Sequence, residues 1–293
     1  MARIAFIGLG TMGLRMARHL LAAGHELVGC DVDPTRARAL GTAIAATPAE
    51  AVAEADVAVT SLPSAAAVEE VVLGPAGLVE RARPGTCLIE MSTSPPGLAR
   101  RLAGELERRG LDWLDAPVSG GPLGAEAATL AIMVGGKEAV FERHRELLEL
   151  LGTLVVHVGG PGSGQTVKLC NNLIAGAEMA AIAEACAIIE RERIDPARAF
   201  AVFTSSTSDS RVMRVRFPIP GVRPEHPAST GYEPMFALDL LFKDLTLALE
   251  LAAACRVPAR VAERACEVYA AARAAGLGRL DYSAVYQVVK PQE

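Results

Sequence analysis

A glycine-rich turn follows an apolar run at the very start of the chain. Residues 8–13 read Gly-Leu-Gly-Thr-Met-Gly and come directly after the apolar residues 3–7. This spacing predicts a strand, a tight turn and a helix in immediate succession. Gly8 allows the tight turn, Gly10 lets a pyrophosphate approach the backbone, and Gly13 lets the helix pack closely on the strand. The helix N-terminus then offers N–H groups and the positive end of its dipole to phosphates.

The next segment completes a dinucleotide-binding pattern. A helix is predicted over residues 14–23 and a second strand over residues 26–30, and Asp31 follows that strand directly. A carboxylate about 20 residues past the glycines accepts hydrogen bonds from the adenosine ribose. A glycine turn with a solvated acid behind it is the alternative, but it does not explain why all the parts occur together. We therefore predict NAD as the cofactor, because the anionic Asp31 disfavours the phosphorylated form. The predicted cofactor residues here are Gly8, Gly10, Thr11, Met12, Gly13 and Asp31.

Composition narrows the class of protein. A chain of 293 residues is long enough for one large or two ordinary domains with a sizeable core. Its hydrophobic content of 51% excludes a disordered chain. A formal charge of -5 and the lack of a basic tract argue against nucleic acid as the main partner.

The cysteines and the apolar segments indicate an intracellular setting. The six cysteines include no C-x-x-C pair and no metal spacing, so we interpret them as core residues in a reducing compartment. Residues 169–189 are apolar but are interrupted by two asparagines and two glutamates, which favours a buried helix over a membrane span. The first predicted strand begins at residue 3 and leaves no room for a targeting peptide, so we expect a cytoplasmic protein.

The first half of the chain alternates strand and helix patterns. This alternation predicts an α/β fold with a Rossmann-type, doubly wound parallel sheet. Residues 130–134 follow the turn at 119–124 without an intervening helix, so we expect an antiparallel edge there. The further strands are predicted over residues 56–62, 86–91, 111–116, 130–134 and 153–158, with helices such as 95–109 and 138–151 between them.

A cluster of helix-breaking residues at 159–164 marks a domain boundary. We predict a dinucleotide-binding domain over residues 1–162 and an all-helical domain for substrate and oligomerisation over residues 163–293. The second begins with a long helix whose apolar residues run around its whole circumference, as in a helix that bridges domains or subunits. We therefore expect a homodimer or homotetramer. The helices are predicted over residues 165–193, 196–204, 237–255, 258–275 and from 283, with a long loop over 217–234.

Lys168 lies in the first turns of the long helix. Asn171 and Asn172 are three and four residues further on, so both amides can share its face. Domain junctions are common ligand sites. A desolvated lysine there can exchange a proton with an alcohol. A solvated lysine beside two capping amides explains the same residues equally well.

A second turn contains small and hydroxyl-bearing residues. Residues 115–121 read Asp-Ala-Pro-Val-Ser-Gly-Gly and end a predicted strand. The hydroxyl of Ser119 and the N–H groups of Gly120 and Gly121 can form a nest for a carboxylate. In open α/β sheets, ligands bind beyond the carboxyl ends of strands. An ordinary strand-exit turn remains the alternative for this segment taken alone.

Three further segments are candidates for cofactor contacts. Thr93 and the pair Leu62-Pro63 each follow a predicted strand, so we expect Thr93 near the nicotinamide half and backbone contacts from Leu62 and Pro63. Lys243 and Asp244 lie side by side in a predicted helix, where such a pair is usually a surface or tethering ion pair. The five histidines form no acid–base or metal pattern, and we predict no metal site.

Four segments, taken in order, resemble the signatures of the β-hydroxyacid dehydrogenase family. The resemblance covers essentially the whole chain. The segments are the cofactor turn at 8–13, the substrate signature at 115–121, the catalytic-helix signature Gly-Ser-Gly-Gln-Thr-Val-Lys-Leu-Cys-Asn-Asn at 162–172, and Leu-Phe-Lys-Asp-Leu at 241–245.

This resemblance implies a role for each candidate. Lys168 is expected to be the catalytic acid–base, and Asn172 is expected to contact the substrate and assist catalysis. Residues 119–121 are expected to hold the substrate carboxylate, and Lys243 to lie near the nicotinamide.

Within the family, two segments resemble members that act in valine breakdown. These are the proline-rich insertion that begins at Pro218 and the tail at 281–287. They imply NAD-dependent oxidation of (S)-3-hydroxyisobutyrate to methylmalonate semialdehyde, in which Lys168 takes the hydroxyl proton. Residues 205–216 depart from this pattern, because they carry three arginines and lack the expected aromatic residue.

Other functions stay open at this point. The same chemistry on L-serine, tartronate semialdehyde or succinic semialdehyde is the first alternative. A cofactor-binding protein without turnover is the second, and the presence of Lys168 and Asn172 argues against it. Imine reduction is disfavoured because enzymes of that kind generally lack a lysine at position 168.

Overall fold

The computed structural model describes residues 1–290. The chain divides into two compact units, Met1–Lys168 and Leu169–Glu293, of which the second is described up to residue 290.

The first unit is built on a nine-stranded sheet. Its strands are β1 (Arg3–Ile7), β2 (Glu26–Cys30), β3 (Ala43–Ile44), β4 (Val57–Thr60), β5 (Cys87–Glu90), β6 (Asp112–Asp115), β7 (Val118–Ser119), β8 (Leu130–Gly136) and β9 (Gly152–Gly159). Six parallel strands lie in the order β3-β2-β1-β4-β5-β6. Strand β8 then pairs antiparallel with both β6 and β7, and parallel with β9.

The strand order creates a switch point between β1 and β4. The chain winds outward from β1 to β3, crosses back, and winds outward again from β4 on the other side of β1. The N–H of Gly8 donates to Cys30 O at 2.9 Å, and the N–H of Ser61 donates to Ile7 O at 2.9 Å. These bonds hold the first residues after β1 and β4 at one edge of the sheet, where ligands bind in sheets of this kind.

Helices cover both faces of the sheet. Successive side chains of β1 point to opposite faces, so Ile4 and Phe6 belong to one buried apolar cluster, whereas Ala5 and Ile7 belong to another. The helices of this unit are α1 (Gly13–Ala22), α2 (Pro34–Arg38), α3 (Pro48–Val52), α4 (Ala65–Leu73), α5 (Pro96–Glu107), α6 (Gly121–Glu126) and α7 (Glu138–Glu149).

The predicted fold class is confirmed, with two local corrections. A short helix, α6, lies between the turn at 119–124 and β8, where we expected none. Strand β8 is antiparallel to β6 and β7 as expected, but it is not the edge, because β9 pairs with it in parallel. The short strands β3 and β7 were not predicted, since two-residue strands carry no readable alternation.

The second unit is helical over its described residues. Helix α8 (Ser163–Arg191) begins in the first unit and continues into the second. It is followed by α9 (Pro196–Phe203), α10 (Arg211–Arg216), α11 (Leu238–Ala254), α12 (Arg260–Ala274) and α13 (Tyr286–Val289). Between residues 169 and 290 the only strand-like pairing is a single bridge between Ala237 and Asp281.

Helix α10 was not predicted, and the predicted loop at 217–234 contains hydrogen-bonded turns. The Ser210 hydroxyl accepts a hydrogen bond from the N–H of Met213 and caps α10. In the loop, the Tyr232 hydroxyl donates to Pro218 O at 2.8 Å, and residues Pro227–Thr230 form one 3-10 turn.

Helix α8 is less buried than predicted. Met179, Ala183 and Cys186 are inaccessible, but Ile174 is 63% exposed and Ile188 is 64% exposed. By length and composition alone this helix is long and apolar enough to cross a membrane, a test that core helices of soluble proteins also pass.

Candidate active site

The candidate residues of the first unit share one edge of the sheet. Strands β1, β2, β4, β5 and β6 run parallel, so their carboxyl ends meet at the same edge. Each of these ends is followed within a few residues by a predicted site residue. In strand order along the chain these are Gly8, Asp31, Leu62, Thr93 and Ser119.

The three glycines of the first turn have different surroundings. Gly8 has a φ of +90°, and a Cβ there would lie 3.0 Å from Leu62 Cδ2. A Cβ at Gly13 would overlap the carbonyl oxygen of Gly8, so only glycine lets α1 pack this closely. Gly10 differs, because the nearest atom to a built Cβ is Nη1 of Arg36 at 3.8 Å. Within residues 1–290, no neighbouring atom therefore requires glycine at position 10.

The start of α1 has no side-chain cap. Met12 occupies the capping position without a side-chain hydrogen bond, and the first turn holds no acidic residue. The next three helices are capped by Asp33, Thr47 and Ser64, each of which accepts a backbone N–H bond. Since the first N–H groups of a helix lack partners inside it, the α1 terminus is suited to an anion.

Asp31 is held at the end of β2 by backbone donors. Its Oδ2 accepts the N–H of Leu9 at 2.7 Å, and its Oδ1 accepts the N–H of Asp33 at 2.8 Å. The carboxylate is thus fixed beside the glycine turn. Thr11 and Pro63, two other predicted cofactor residues, are exposed at the same edge.

The turn at residues 119–121 is packed against α1. Gly120 has a φ of +136° and Gly121 a φ of +62°, both in the region that favours glycine. The His19 ring of α1 lies 3.0 Å from the backbone oxygen of Ala125, and Arg15 pairs with Glu126 at 2.9 Å. These contacts fix α6, which begins with Gly120 as its cap and Gly121 as its first residue, relative to the cofactor turn.

Asp115 caps α8, a role that its place in the substrate signature did not indicate. Its carboxylate accepts the N–H of Gly162 at 2.7 Å and the N–H of Gln165 at 3.0 Å. Burial raises the pKa of Asp115, and these hydrogen bonds to the charged form oppose the rise. The strand that leads to Ser119 therefore also holds the beginning of the helix that carries Lys168.

Sequence reasoning missed Glu90 and Gln165. Glu90 ends β5 and is fully buried, and its Oε2 accepts a hydrogen bond from Nε2 of Gln165 at 2.8 Å. Burial raises the pKa of Glu90 to about 7. The only signal in the sequence is a carboxylate at the end of an otherwise apolar strand, which costs free energy unless it is hydrogen-bonded.

Lys168 and Asn172 lie one turn apart on α8. Lys168 is 7% exposed and Asn172 is 4% exposed, so both are buried polar residues, whereas Asn171 is exposed. Residues four apart on a helix share a face.

Within the second unit, Asn172 is tied to the Lys243–Asp244 pair. Its Nδ2 donates to Oδ2 of Asp244 at 2.6 Å. Nζ of Lys243 lies 3.1 Å from Oδ1 of the same carboxylate. The adjacent Lys–Asp pair is thus a tethering ion pair, and the buried Asp244 orients the Asn172 amide.

Family models match both halves of the chain. The model described as the NAD binding domain of 6-phosphogluconate dehydrogenase matches residues 3–159. The model described as NAD-binding of NADP-dependent 3-hydroxyisobutyrate dehydrogenase matches residues 162–289.

Relatives match the chain over nearly its full length. A probable mitochondrial 3-hydroxyisobutyrate dehydrogenase of Dictyostelium discoideum is 40% identical over 286 residues, which cover 97% of this chain and 89% of the relative. The 2-(hydroxymethyl)glutarate dehydrogenase of Eubacterium barkeri is 37% identical and covers 98% of this chain, with 94% of its own length matched.

A solved structure has the same fold. The 3-hydroxyisobutyrate dehydrogenase of Mycobacterium tuberculosis, solved with L-serine, superimposes with a TM-score of 0.93 at 39% identity. The match covers 99% of this chain and 100% of that one.

Proposed function

We propose a specific reaction for this chain, which belongs to the 3-hydroxyisobutyrate dehydrogenase family of NAD(P)-binding oxidoreductases. The reaction is the oxidation of the primary alcohol of (S)-3-hydroxyisobutyrate to methylmalonate semialdehyde. The observation that carries it is the buried Lys168. It lies three residues after Gln165, which is hydrogen-bonded to Glu90 at the carboxyl end of β5. A buried amine at that edge is suited to proton exchange with an alcohol.

The chain's own residues divide the work between binding and proton transfer. Ser119, Gly120 and Gly121 hold the substrate carboxylate, since a hydroxyl and the first N–H groups of α6 follow one another there. Lys168, as the neutral amine, accepts the hydroxyl proton in oxidation and returns it in the reverse direction. Asn172, oriented by Asp244, contacts the substrate. Holding the alcohol in register with the amine supplies much of the rate.

The cofactor site fits a dinucleotide. The open face of Gly10 and the uncapped start of α1 are suited to a pyrophosphate, and Asp31 to the ribose hydroxyls. Thr11, Met12, Leu62, Pro63, Thr93 and Lys243 complete the proposed set of cofactor contacts. When bound, the dinucleotide supplies a nicotinamide ring as the hydride acceptor. We propose NAD as the preferred form because Asp31 repels a 2′-phosphate.

A panel assay tests the proposed substrate. NADH formation is followed with both enantiomers of 3-hydroxyisobutyrate, 3-hydroxypropionate, L-serine, D-glycerate and 4-hydroxybutyrate, each with NAD and with NADP. The proposal expects the highest kcat/KM for (S)-3-hydroxyisobutyrate with NAD. A higher value for another acid contradicts the proposed substrate, and NADH binding without any turnover supports a non-catalytic cofactor-binding protein.

Oxidation of L-serine or of another short hydroxyacid is the second candidate. The solved relative from Mycobacterium tuberculosis was determined with L-serine, which favours this candidate. Two of the three arginines that set residues 205–216 apart are engaged with acids, since Arg216 pairs with the buried Asp281 at 3.3 Å and Arg214 pairs with Asp209 at 2.6 Å.

The remaining proposals concern organisation. Residues 1–162 bind the dinucleotide, and residues 163–293 serve substrate binding and oligomerisation. Val167, Ile174 and Ile188 are exposed on α8 at multiples of seven residues, an apolar stripe that fits a homodimer or homotetramer. We place the protein in the cytoplasm, because the six cysteines are free and four of them are at least partly buried.

A further inference from the structure

A buried carboxylate lies at the end of β5. Glu90 is 0% exposed, and its hydrogen-bond partners among residues 1–290 are neutral donors. Its Oε1 accepts the N–H of Ser92 at 2.6 Å, and its Oε2 accepts Nε2 of Gln165 at 2.8 Å and the Ser94 hydroxyl at 3.4 Å. A buried charge is costly and rarely adds net stability, so its presence calls for another explanation.

The Gln165 amide is the partner of Glu90 and is itself bonded at both ends. Its Nε2 donates to Glu90 and also to Ser92 O at 2.9 Å. Its Oε1 accepts the N–H of Ser94 at 3.0 Å. Only one orientation of the amide satisfies all three partners. The first turn of α8 is therefore fixed in its rotation about the helix axis and in its position along that axis.

The network reaches a third segment through Ser92. The Ser92 hydroxyl accepts the N–H of Leu62 at 2.8 Å. Three segments that are distant in sequence are therefore joined inside the first unit. They are the loop after β4 at residues 61–63, the loop after β5 at residues 92–94, and the start of α8 at residues 163–168.

We propose that Glu90 and Gln165 are positioning residues, which hold Lys168 in register with the loops that carry Leu62 and Thr93. The roles of Lys168, Leu62 and Thr93 in this statement rest on the proposed function. Gln165 and Lys168 are three residues apart and therefore neighbours on the helix surface. A rotation of the first turn moves the amine, and a misplacement of about 1 Å can cost about a hundredfold in rate.

The surroundings of Glu90 agree with a geometric role. Asp115, the neighbouring carboxylate, caps α8 from β6. Burial is the main cause of the raised pKa of Glu90, and repulsion by Asp115 adds to it. Two acids thus hold one helix start, Asp115 through the backbone and Glu90 through the Gln165 side chain. An apolar residue at position 90 would remove the burial cost, but it would also release the amide.

A charge-conserving exchange tests the proposal. Glu90→Gln places an amide donor against either the Ser92 N–H or the Gln165 amide, so one bond is lost. Gln165→Glu sets two buried carboxylates against each other. In the double variant, Gln at 90 can accept from Ser92 and donate to Glu at 165, which in turn accepts from Ser94. The bond to Ser92 O is lost, because a carboxylate oxygen replaces that donor, and the Ser94 hydroxyl loses its acceptor at position 90.

We expect each single variant to lower kcat about tenfold or more, with less change in the KM for the alcohol. The double variant should lose less than the sum of the two single losses, a coupling that a double-mutant cycle measures directly. Additive losses in the double variant would overturn the proposal, because they would mean that the two residues act separately.

A matched control separates positioning from stability. Thr86 lies just before β5, at the opposite edge of the sheet, and its hydroxyl donates to Ala55 O at 3.1 Å. Thr86→Val removes a buried hydrogen bond close to the same strand, so we expect a lower Tm and an unchanged kcat. An E90Q variant that behaves like T86V, with lower Tm and normal kcat, contradicts the positioning role.

The test stays interpretable if a variant or the proposed substrate fails. Ser92→Ala removes the acceptor for Leu62 and leaves Glu90 in place, so it replaces E90Q if E90Q does not fold. We expect it to weaken NADH binding, measured by fluorescence titration, while an unaltered dissociation constant contradicts the link to Leu62. Kinetics use whichever acid the wild type oxidises. Failure on (S)-3-hydroxyisobutyrate thus refutes only the proposed substrate, whereas the network is refuted by the variant results alone.

Discussion

Two helix starts at the same edge of the first unit are built in opposite ways. The N-terminus of α1 has no side-chain cap, and the space beside Gly10 is open. The N-terminus of α8 is closed by Asp115 through two backbone N–H groups, and Gln165 adds the bonds to Glu90. The fold thus leaves the N-terminus of α1 for a ligand, whereas it uses the N-terminus of α8 to place a side chain.

The largest expected effect concerns Lys168, which lies in the first turns of α8. Lys168→Ala removes the proposed acid–base and should lower kcat by about 10²- to 10⁴-fold. NADH affinity should be nearly unchanged, because the open start at α1 is untouched. Steady-state kinetics and fluorescence titration measure the two separately. Loss of NADH binding in step with activity would contradict the assigned role.

Removing the Asp115 cap from the N-terminus of α8 should lower the stability of the fold. Asp115→Ala leaves the N–H groups of Gly162 and Gln165 without their acceptor, and each buried unpaired group costs about 1–3 kcal/mol. Asp115→Asn keeps one acceptor oxygen and should cost less. Denaturant unfolding monitored by circular dichroism measures both. Equal stability of the two variants would contradict the capping role.

The closed start should also make stability depend on pH. The pKa of Glu90 is raised from 4.5 to about 7, so between these values the folded state binds a proton that the unfolded state releases. The stabilisation is therefore complete below about pH 4.5 and is lost as the pH rises through 7, by at most about 3 kcal/mol. The free energy of unfolding, plotted against pH over this range, should have a smaller slope for Glu90→Gln than for the wild type. An identical slope in both proteins would show that Glu90 does not titrate there.

Two alanine substitutions in the glycine turn test the N-terminus of α1, the helix start without a side-chain cap. Gly13→Ala forces a Cβ against the backbone of Gly8 and should lower stability by about 1–3 kcal/mol. Gly10→Ala meets no protein atom closer than 3.8 Å, so its Tm should be unchanged while NADH binds more weakly. Thermal unfolding with and without NADH distinguishes the two. Normal NADH affinity in G10A would mean that the open face is not the pyrophosphate site.

The smallest expected effect concerns cofactor choice. Asp31→Asn removes the charge that repels a 2′-phosphate, and the guanidinium of Arg36 lies close to the same turn. We expect the ratio of kcat/KM with NADP to that with NAD to rise about tenfold, which corresponds to about 1.4 kcal/mol. Parallel assays with both cofactors measure it. A wild type that already uses both equally would remove the basis for this prediction.

Features that depend on neighbours in sequence were predictable. The glycine turn and the parallel strands follow from local spacing and from apolar runs, and the fold class inferred from them is confirmed. The family, which was inferred from the resemblance of four segments, is confirmed as well. Short elements were missed, because α6, α10, β3 and β7 are too brief for a periodic signal and form only where the surrounding chain supports them. The exposed stripe on α8 also could not be predicted, since an apolar residue in sequence does not say what covers it.

The sequence by itself determined the α/β order, the glycine turn with its acid, and the family to which the chain belongs. Only the tertiary structure decided that Gly13 is required by packing whereas Gly10 is not, and that Asp115 caps α8. It also joined Glu90 to Gln165, which are 75 residues apart. Local spacing sets which hydrogen bonds and turns a segment can form. Which buried polar groups become partners is set by where the folded sheet and helices bring distant residues into contact.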